Sequence, residues 1–102
     1  MDNTIILSII ISAYNVENYI KKCLCSCINQ DINKELYEII VIDDGSKDQT
    51  PEIIDSFINT NNAYNINVIH KKNGGVSSAR NFGINLSRGK YLWLVDADDY
   101  IQ

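Results

Sequence analysis

Three carboxylates stand close together near the end of the chain. Asp96, Asp98 and Asp99 directly follow the apolar run of residues 91–95, which predicts a strand covered on both faces because polar residues do not alternate along it. If the backbone stays extended, Asp96 and Asp98 project to the same side. Oxygen ligands suit Mg2+ and Mn2+, whose coordination shells are commonly completed by phosphate oxygens. The spacing therefore indicates a metal ion that is shared with a bound phosphate.

The same carboxylates also fit an interpretation that involves no metal. Asp98 or Asp99 can cap a following helix or close an Asx turn, which are common roles of Asp at the end of a strand. Carboxylates at this spacing repel one another unless a cation or hydrogen-bond donors neutralise them. From this segment alone, both interpretations stay open.

Composition limits the kinds of ligand that the protein can bind. The chain has 102 residues, which suits one domain, and its hydrophobic fraction of 45% and charged fraction of 22% are ordinary for a globular protein. Its net charge of -4 is opposite in sign to the surface that nucleic acids or anionic membranes attract. We therefore expect no nucleic-acid partner. A phosphate ester would have to be bound locally, by a metal, by main-chain amides or by a few cations.

The cysteines indicate a reducing environment. Cys23, Cys25 and Cys27 lie too close along the chain for good disulfide geometry, and neither a His nor a second Cys cluster completes a zinc site. We expect reduced thiols on one helix and a cytoplasmic protein. The apolar run of residues 5–11 is too short to cross a bilayer and predicts a strand instead.

Apolar periodicity predicts seven alternating elements. Strands are predicted over residues 5–12, 37–42, 66–70 and 90–96, and helices over 16–29, from Thr50 onward, and from Ser77 or Ser78 to Arg88. Asn15 and the Thr50 hydroxyl are predicted helix caps, and Arg88 is predicted to lie near the last carbonyls of the third helix. The order β-α-β-α-β-α-β predicts an α/β fold with a Rossmann-like parallel sheet and right-handed crossovers.

Unusual residues follow each of the four predicted strands, at positions 12–15, 43–46, 71–75 and 96–99. In a parallel sheet the carboxyl ends of the strands share one edge, where open α/β sheets bind ligands. Tyr14 can stack on a base there, and the carboxylates can accept hydrogen bonds from a base or a ribose. Neither a Walker A sequence nor Gly-x-Gly-x-x-Gly is present, so neither a P-loop nor a dinucleotide site is supported.

Each of these residues also has a structural interpretation. Tyr14 can be a packing residue, the sequence NGG at 73–75 can be only a turn, and Arg80 can form an ion pair on a helix face. His70 is predicted to be structural, because no neighbouring residue makes it a ligand. The coincidence of four such stretches at one edge carries more weight than any one of them.

Four ordered motifs give the chain a resemblance to a known family. They are SIIISAYN at residues 8–15, VIDDGSKDQT at 41–50, NGGVSSARNFG at 73–83 and GKYLWLVDADD at 89–99. In these motifs, which span nearly the whole chain, the protein resembles the nucleotide-binding half of an inverting family two glycosyltransferase of the GT-A fold. Ser12 is a departure, because the family usually has Pro at that position.

The resemblance implies a role for each matching residue. Tyr14 would lie against the base, and Asp44 would accept a hydrogen bond from it. Asp96 would engage the ribose or the metal, while Asp98 would hold Mn2+ or Mg2+ on the diphosphate. Arg80 would lie near the nucleotide. The full predicted set is Ser12, Tyr14, Asn15, Asp43, Asp44, Arg80 and Asp96 at the nucleotide, with Asp96 and Asp98 at the metal.

The resemblance also implies an activity. It is the metal-dependent, inverting transfer of a sugar from a nucleotide-diphospho-sugar, expected to be a UDP-sugar, to a hydroxyl of a glycan or lipid-linked acceptor. Family members continue past the Asp-x-Asp motif into a half that binds the acceptor and supplies the catalytic base. We therefore expect residues 1–102 to form a single truncated donor-binding domain that is inactive by itself. The whole enzyme is expected to act in cell-envelope polysaccharide synthesis, in the cytoplasm or at the inner face of the membrane.

Other functions stay open at this stage. The missing acceptor half also suits a non-catalytic nucleotide-binding or interaction module, and a purely structural α/β domain would bind no nucleotide. The last predicted strand has no later neighbour in this sequence. Its open backbone edge predicts self-association.

Overall fold

A computed structural model describes residues 4–97. The predicted order is confirmed: strands β1 (Leu7–Ala13), β2 (Tyr37–Asp43), β3 (Ile66–His70) and β4 (Tyr91–Asp96) alternate with helices α1 (Ile20–Ile28), α2 (Thr50–Thr60) and α3 (Val76–Leu86). The predicted metal ligand Asp98, and Asp99 beside it, lie outside the described residues. Within residues 4–97, no helix has the length and apolar character to span a membrane.

The four strands form one parallel sheet in the order β3-β2-β1-β4. The chain adds β2 and β3 on one side of β1, then crosses over and adds β4 on the other side. The strand order therefore reverses at β1. Open α/β sheets bind ligands at such a reversal, just beyond the carboxyl ends of the strands, and here those ends are Ala13 and Asp96.

Helices cover the two faces of the sheet unequally. Helices α1 and α2 cover one face, where they enclose a buried cluster that includes Ile9, Ile11, Ile20, Leu24, Val41, Ile54 and Phe57. Helix α3 covers the other face over a smaller cluster of Ile10, Ile40, Ile42 and Ala79. Gly83 permits this contact, because a Cβ atom there would lie 2.5 Å from Ile10 Cγ2. Cys23 and Cys27 are buried free thiols on α1, as predicted.

The first helix begins later than predicted. Residues 16–19 form a turn, in which the Val16 carbonyl accepts hydrogen bonds from Tyr19 N and Ile20 N, and α1 starts only at Ile20. The prediction that Asn15 caps this helix is wrong. Asn15 has a positive φ of 52°, and its Oδ1 accepts a hydrogen bond from Lys47 N at 2.8 Å. The Asn15 side chain therefore bonds to the loop after β2 and not to the helix that the local pattern predicted.

Two other predicted helix-end roles are also replaced by distant contacts. Helix α2 begins at Thr50 as predicted, but the Thr50 hydroxyl accepts a hydrogen bond from Val16 N at 2.9 Å and caps nothing on its own helix. The predicted interaction of Arg88 with the last carbonyls of α3 is replaced by contacts with Glu38. The backbone N and side chain of Arg88 donate to Glu38, a buried carboxylate that also accepts a hydrogen bond from the Ser8 hydroxyl.

The prediction that residues 91–95 are covered on both faces is wrong for the described structure. Strand β4 is an edge strand, and Tyr91, Leu92, Trp93 and Leu94 are 43–62% exposed. The closest helix–strand packing falls on β1, β2 and β3, and Val95, near the end of β4, packs against the buried cluster under α1 and α2. Within residues 4–97, the outer edge of β4 has no paired strand, and the predicted self-association stays a prediction.

Candidate donor-nucleotide site

A pocket of about 310 Å³ opens at the carboxyl edge of the sheet, where the strand order reverses. All four strand ends contribute to it, as the sequence predicted. Its lining is Ser12, Ala13 and Tyr14 after β1, Asp44 after β2, Asn73, Gly75, Val76 and Ala79 from the β3–α3 connection, and Asp96 at the end of β4. A larger groove of about 430 Å³ lies between α1 and α2. None of the predicted site residues lines that groove.

Asp44 organises one wall of the pocket. Its buried carboxylate accepts hydrogen bonds from Lys71 Nζ at 3.0 Å, from Gly74 N and Gly75 N at 2.9 Å each, and from Asn73 Nδ2 at 3.3 Å. The Asn73 amide also donates to the Asp44 carbonyl at 2.9 Å. Asp44, directly after β2, thereby bonds to four residues of the β3–α3 connection.

The charge state of Asp44 follows from these contacts. Burial alone would raise the pKa of the Asp44 carboxyl, but the hydrogen bonds from Lys71, Gly74 and Gly75 outweigh it, so that the pKa lies below its ordinary value. The group is therefore an anion at neutral pH and only accepts hydrogen bonds. A fixed anionic acceptor in a pocket wall suits a ligand that offers an N–H group.

Tyr14 and Ser12 provide two different surfaces in the pocket. Tyr14 is 45% exposed, so that its ring is accessible to a flat ligand. Ser12 is buried, and within residues 4–97 its hydroxyl has no hydrogen-bond partner. A buried hydroxyl that lines a pocket and lacks a protein partner suits a polar group of a ligand, because an unsatisfied buried hydroxyl costs free energy.

Asp96 places one carboxylate at the pocket. It lies beside Ser12 in the β1–β4 register and lines the pocket with it. Oxygen donors of this kind fit Mg2+ or Mn2+, and one or two protein carboxylates suffice when phosphates complete the coordination shell. Residues 4–97 contain no group of three His, Cys, Asp or Glu side chains that could hold a metal by themselves. Any metal at this edge would therefore depend on ligand oxygens or on residues after 97.

The lining of the pocket does not include the other predicted nucleotide-binding residues, namely Asn15, Asp43 and Arg80. The Asp43 carboxylate is buried and accepts a hydrogen bond from Ser46 N at 3.0 Å. Arg80 lies on α3 next to the lining residue Ala79, and its buried Nε has no partner within the described part of the chain.

The loops after β1 and β2 are joined by five hydrogen bonds between residues 15–17 and 46–50, which we call the loop clasp. Asn15 and Glu17 each donate from the backbone and accept on the side chain, and Val16 N donates to Thr50. The donor–acceptor distances are 2.8–3.2 Å. Tyr14 immediately precedes the loop clasp, which therefore fixes the backbone that carries the exposed ring.

Sequence reasoning missed several residues of this site. It singled out the stretch 71–75 but left Lys71 and Asn73 out of the site, although both contact Asp44. A lysine directly after a predicted strand, at an edge that carries several aspartates, was the available signal. It also gave His70 no neighbour, whereas both ring nitrogens face carboxylates. That arrangement had no local signal, because the partners are 27 and 15 residues away.

Comparison with known proteins finds a family model and sequence relatives that match nearly the whole chain. The sequence model of the family Glycosyl transferase family 2 matches residues 8–102. The chain is 43% identical over 96 residues to the uncharacterized glycosyltransferase EpsJ of Bacillus subtilis, covering 94% of this chain and 27% of that protein. It is 40% identical over 97 residues to the poly(ribitol-phosphate) beta-glucosyltransferase of Bacillus spizizenii, covering 93% of this chain and 15% of that protein.

Solved structures show the same architecture. The crystal structure of S. aureus TarS 1-349 in complex with UDP-GlcNAc superposes with a TM-score of 0.82 at 34% identity, over 92% of this chain and 27% of that one. The mannosyltransferase PcManGT from Pyrobaculum calidifontis, in complex with GDP-Man and Mn2+, gives a TM-score of 0.85 at 24% identity, over 90% of this chain and 27% of that one, and shows the fold alone. The chain thus spans about a quarter or less of the relatives named here.

Proposed function

Because the chain belongs to glycosyl transferase family 2, we propose that it forms the donor-binding half of an enzyme that transfers a sugar from a UDP-sugar to an acceptor hydroxyl. The observation that carries the proposal is the pocket at the reversal of strand order, where Ser12, Tyr14, Asp44 and Asp96 meet. The TarS structure in complex with UDP-GlcNAc supports a uridine nucleotide as the first ligand to test.

The base would bind between Tyr14 and Asp44. The exposed Tyr14 ring offers a face for stacking. The anionic Asp44 carboxylate would accept a hydrogen bond from the N–H group that uracil presents between its two carbonyls. Asn73 Nδ2 makes the longest of the four hydrogen bonds to this carboxylate, at 3.3 Å, and also holds the Asp44 carbonyl at 2.9 Å. We expect the longer contact to be the one that gives way to the base.

The ribose and phosphates would lie toward Ser12 and Asp96. Asp96 and the Ser12 hydroxyl can bind ribose hydroxyl groups, and the unpartnered Arg80 Nε is a donor available to the nucleotide. Asp96, together with Asp98 beyond the described residues, would hold Mn2+ or Mg2+. When bound, such an ion neutralises charge that develops on the departing nucleoside diphosphate.

The chemistry we propose is a direct displacement that inverts the anomeric centre. The acceptor oxygen forms a bond to the anomeric carbon as the bond from that carbon to the diphosphate breaks, and the acceptor proton passes to a general base. No residue of the pocket is assigned as that base, and the acceptor, a glycan or a lipid-linked sugar, has no site among the described residues. We propose a cytoplasmic protein, peripheral to the inner face of the membrane, that acts in cell-envelope polysaccharide synthesis.

Calorimetric titration with UDP tests the donor site. We expect binding in the presence of Mn2+, with affinity about tenfold lower in chelator or in Asp98→Ala, because charge-assisted contacts to the diphosphate are lost. Asp31→Ala removes an exposed carboxylate of the α1–β2 loop and should bind like the wild type. Equal affinity in Mn2+ and in chelator would exclude the metal role. Tighter binding of GDP than of UDP would overturn the assignment of the base.

A transfer assay can eliminate the main alternative to the enzyme, a non-catalytic nucleotide-binding or interaction module. We expect the 102-residue chain to bind UDP but to transfer no radiolabelled sugar by itself. Transfer by this chain would eliminate the non-catalytic alternative, whereas failure to bind any nucleotide would leave only a structural domain.

A further inference from the structure

His70, the sole histidine of the chain, bridges two elements beside the pocket. Its Nδ1 lies 2.7 Å from Asp43 Oδ2 at the end of β2, and its Nε2 lies 2.9 Å from Asp55 Oδ1 on α2. Asp43 is buried, whereas the side chains of His70 and Asp55 are 40% and 59% exposed. The imidazole thus spans from a buried carboxylate to a hydrated one.

The geometry favours a proton on each ring nitrogen. Both partners are carboxylates, which accept hydrogen bonds, and only imidazolium donates from both nitrogens. Burial lowers the pKa of His70, but the hydrogen bonds to Asp43 and Asp55 outweigh it and the pKa lies above its ordinary value. These are the charged groups that face the ring from β2 and α2. The adjacent Lys71 directs its ammonium group to Asp44 instead.

A short path of hydrogen bonds connects His70 to the pocket. The second oxygen of Asp43 accepts from Ser46 N at 3.0 Å, and Ser46 Oγ accepts from Asn15 N, also at 3.0 Å. Asn15 belongs to the loop clasp and follows Tyr14 directly. If His70 lost one proton, the deprotonated ring nitrogen would present a lone pair to its carboxylate partner. That nitrogen and that carboxylate would then repel each other instead of forming a hydrogen bond.

We propose that His70 is a positioning residue for the donor nucleotide, and that its imidazolium form holds Asp43 and the loop clasp in the arrangement that places Tyr14 on the base. Nucleotide binding and protonation of His70 are then coupled: each strengthens the other by the same factor. This inference rests on the proposed function, because it concerns binding at the same pocket.

An NMR titration of the imidazole, with and without saturating UDP and Mn2+, measures the coupling directly. One histidine gives one set of ring signals, so assignment is unambiguous. We expect the pKa of His70 to rise when UDP binds, and calorimetry to show affinity falling about fivefold as pH rises through that pKa, a size typical of the net contribution of one hydrogen bond. His70→Gln should abolish this pH dependence relative to the wild type.

Asp55→Asn distinguishes positioning from simple charge attraction, and it changes a side chain that is 59% exposed. Removing a negative charge should leave UDP binding unchanged or tighter if the imidazolium merely attracts the nucleotide through space. If His70 positions the loops, Asp55→Asn should weaken binding at neutral pH, because His70 then loses its proton more readily. Glu52→Gln, which removes an exposed carboxylate one turn earlier on α2, is the matched control and should bind like the wild type.

The outcomes separate the two proposals. UDP binding with a His70 pKa that is the same in the free and bound protein overturns the positioning role but leaves the proposed function intact. Equal or tighter UDP binding by Asp55→Asn also overturns the positioning role. An absence of UDP binding in the wild type under all conditions overturns the proposed function and, with it, this inference.

Discussion

Strands β1 and β4 are both apolar in sequence, but β1 is buried and much of β4 is exposed. They pair in register, so that Ile10 lies beside Leu94 in the sheet, yet Ile10 is 1% exposed and Leu94 is 43% exposed. Within residues 4–97 the difference comes from position in the sheet: β1 has a strand on each side and helices over both faces, whereas β4 has one neighbouring strand. An apolar run therefore predicts a strand reliably, but it does not reveal how much of that strand its own domain covers.

The largest effect should come from truncating the covered member of this pair. Ile10→Ala should lower the free energy of unfolding by about 2–5 kcal/mol, because it removes buried methyl groups and leaves a cavity under α3. Leu94→Ala, the matched variant on β4, should cost less than about 1 kcal/mol. Urea denaturation measures both. Equal losses would mean that β4 is as well covered as β1 and would remove the contrast.

A smaller, pH-dependent effect is expected where β2 ends at the pocket. The pKa of Asp44 is lower in the folded chain than in the unfolded chain, so its contribution to stability is present above the unfolded value, about 3.9, and is lost as pH falls through the folded value. Asp44→Asn should therefore reduce the loss of stability below about pH 4.

Thermal melts between pH 2 and pH 7 provide the measurement for Asp44→Asn. The exposed variant Asp31→Asn serves as the control and should melt with the pH dependence of the wild type. A profile for Asp44→Asn that matches the wild type would show that Asp44 does not tie the β3–α3 connection to the sheet.

The smallest effect on stability is expected at the uncovered strand. Trp93→Lys should change the free energy of unfolding by about 0.5 kcal/mol or less, because Trp93 is 44% exposed. The same change should prevent the self-association that we propose for the open β4 edge, since charged side chains block pairing of edge strands.

Sedimentation velocity at high protein concentration tests the association. The wild type should show dimers or larger species, and Ile32→Lys, an exposed apolar position in the α1–β2 loop, should behave like it. A wild type that stays monomeric at every concentration would show that the edge alone is insufficient for pairing.

The sequence predicted the fold closely and the site in part, for physical reasons that particular residues illustrate. Apolar periodicity is a local property, and it located β3 at Ile66–His70 without error. Parallel topology then placed Tyr14 and Asp44 at one pocket. The partners of Asn15, Thr50 and His70 were not predictable in this way, because each is a contact with a residue at least 15 positions distant.

The loop clasp has a consequence for changing which sugar nucleotide such a domain accepts. Because residues 15–17 and 46–50 hold each other through five mutual hydrogen bonds, neither segment can be exchanged for that of a relative without leaving donors and acceptors of the other unmatched. Chimeras designed to alter the recognised base should therefore transplant both segments as one cassette. Single-segment grafts should fail before selectivity can be assessed.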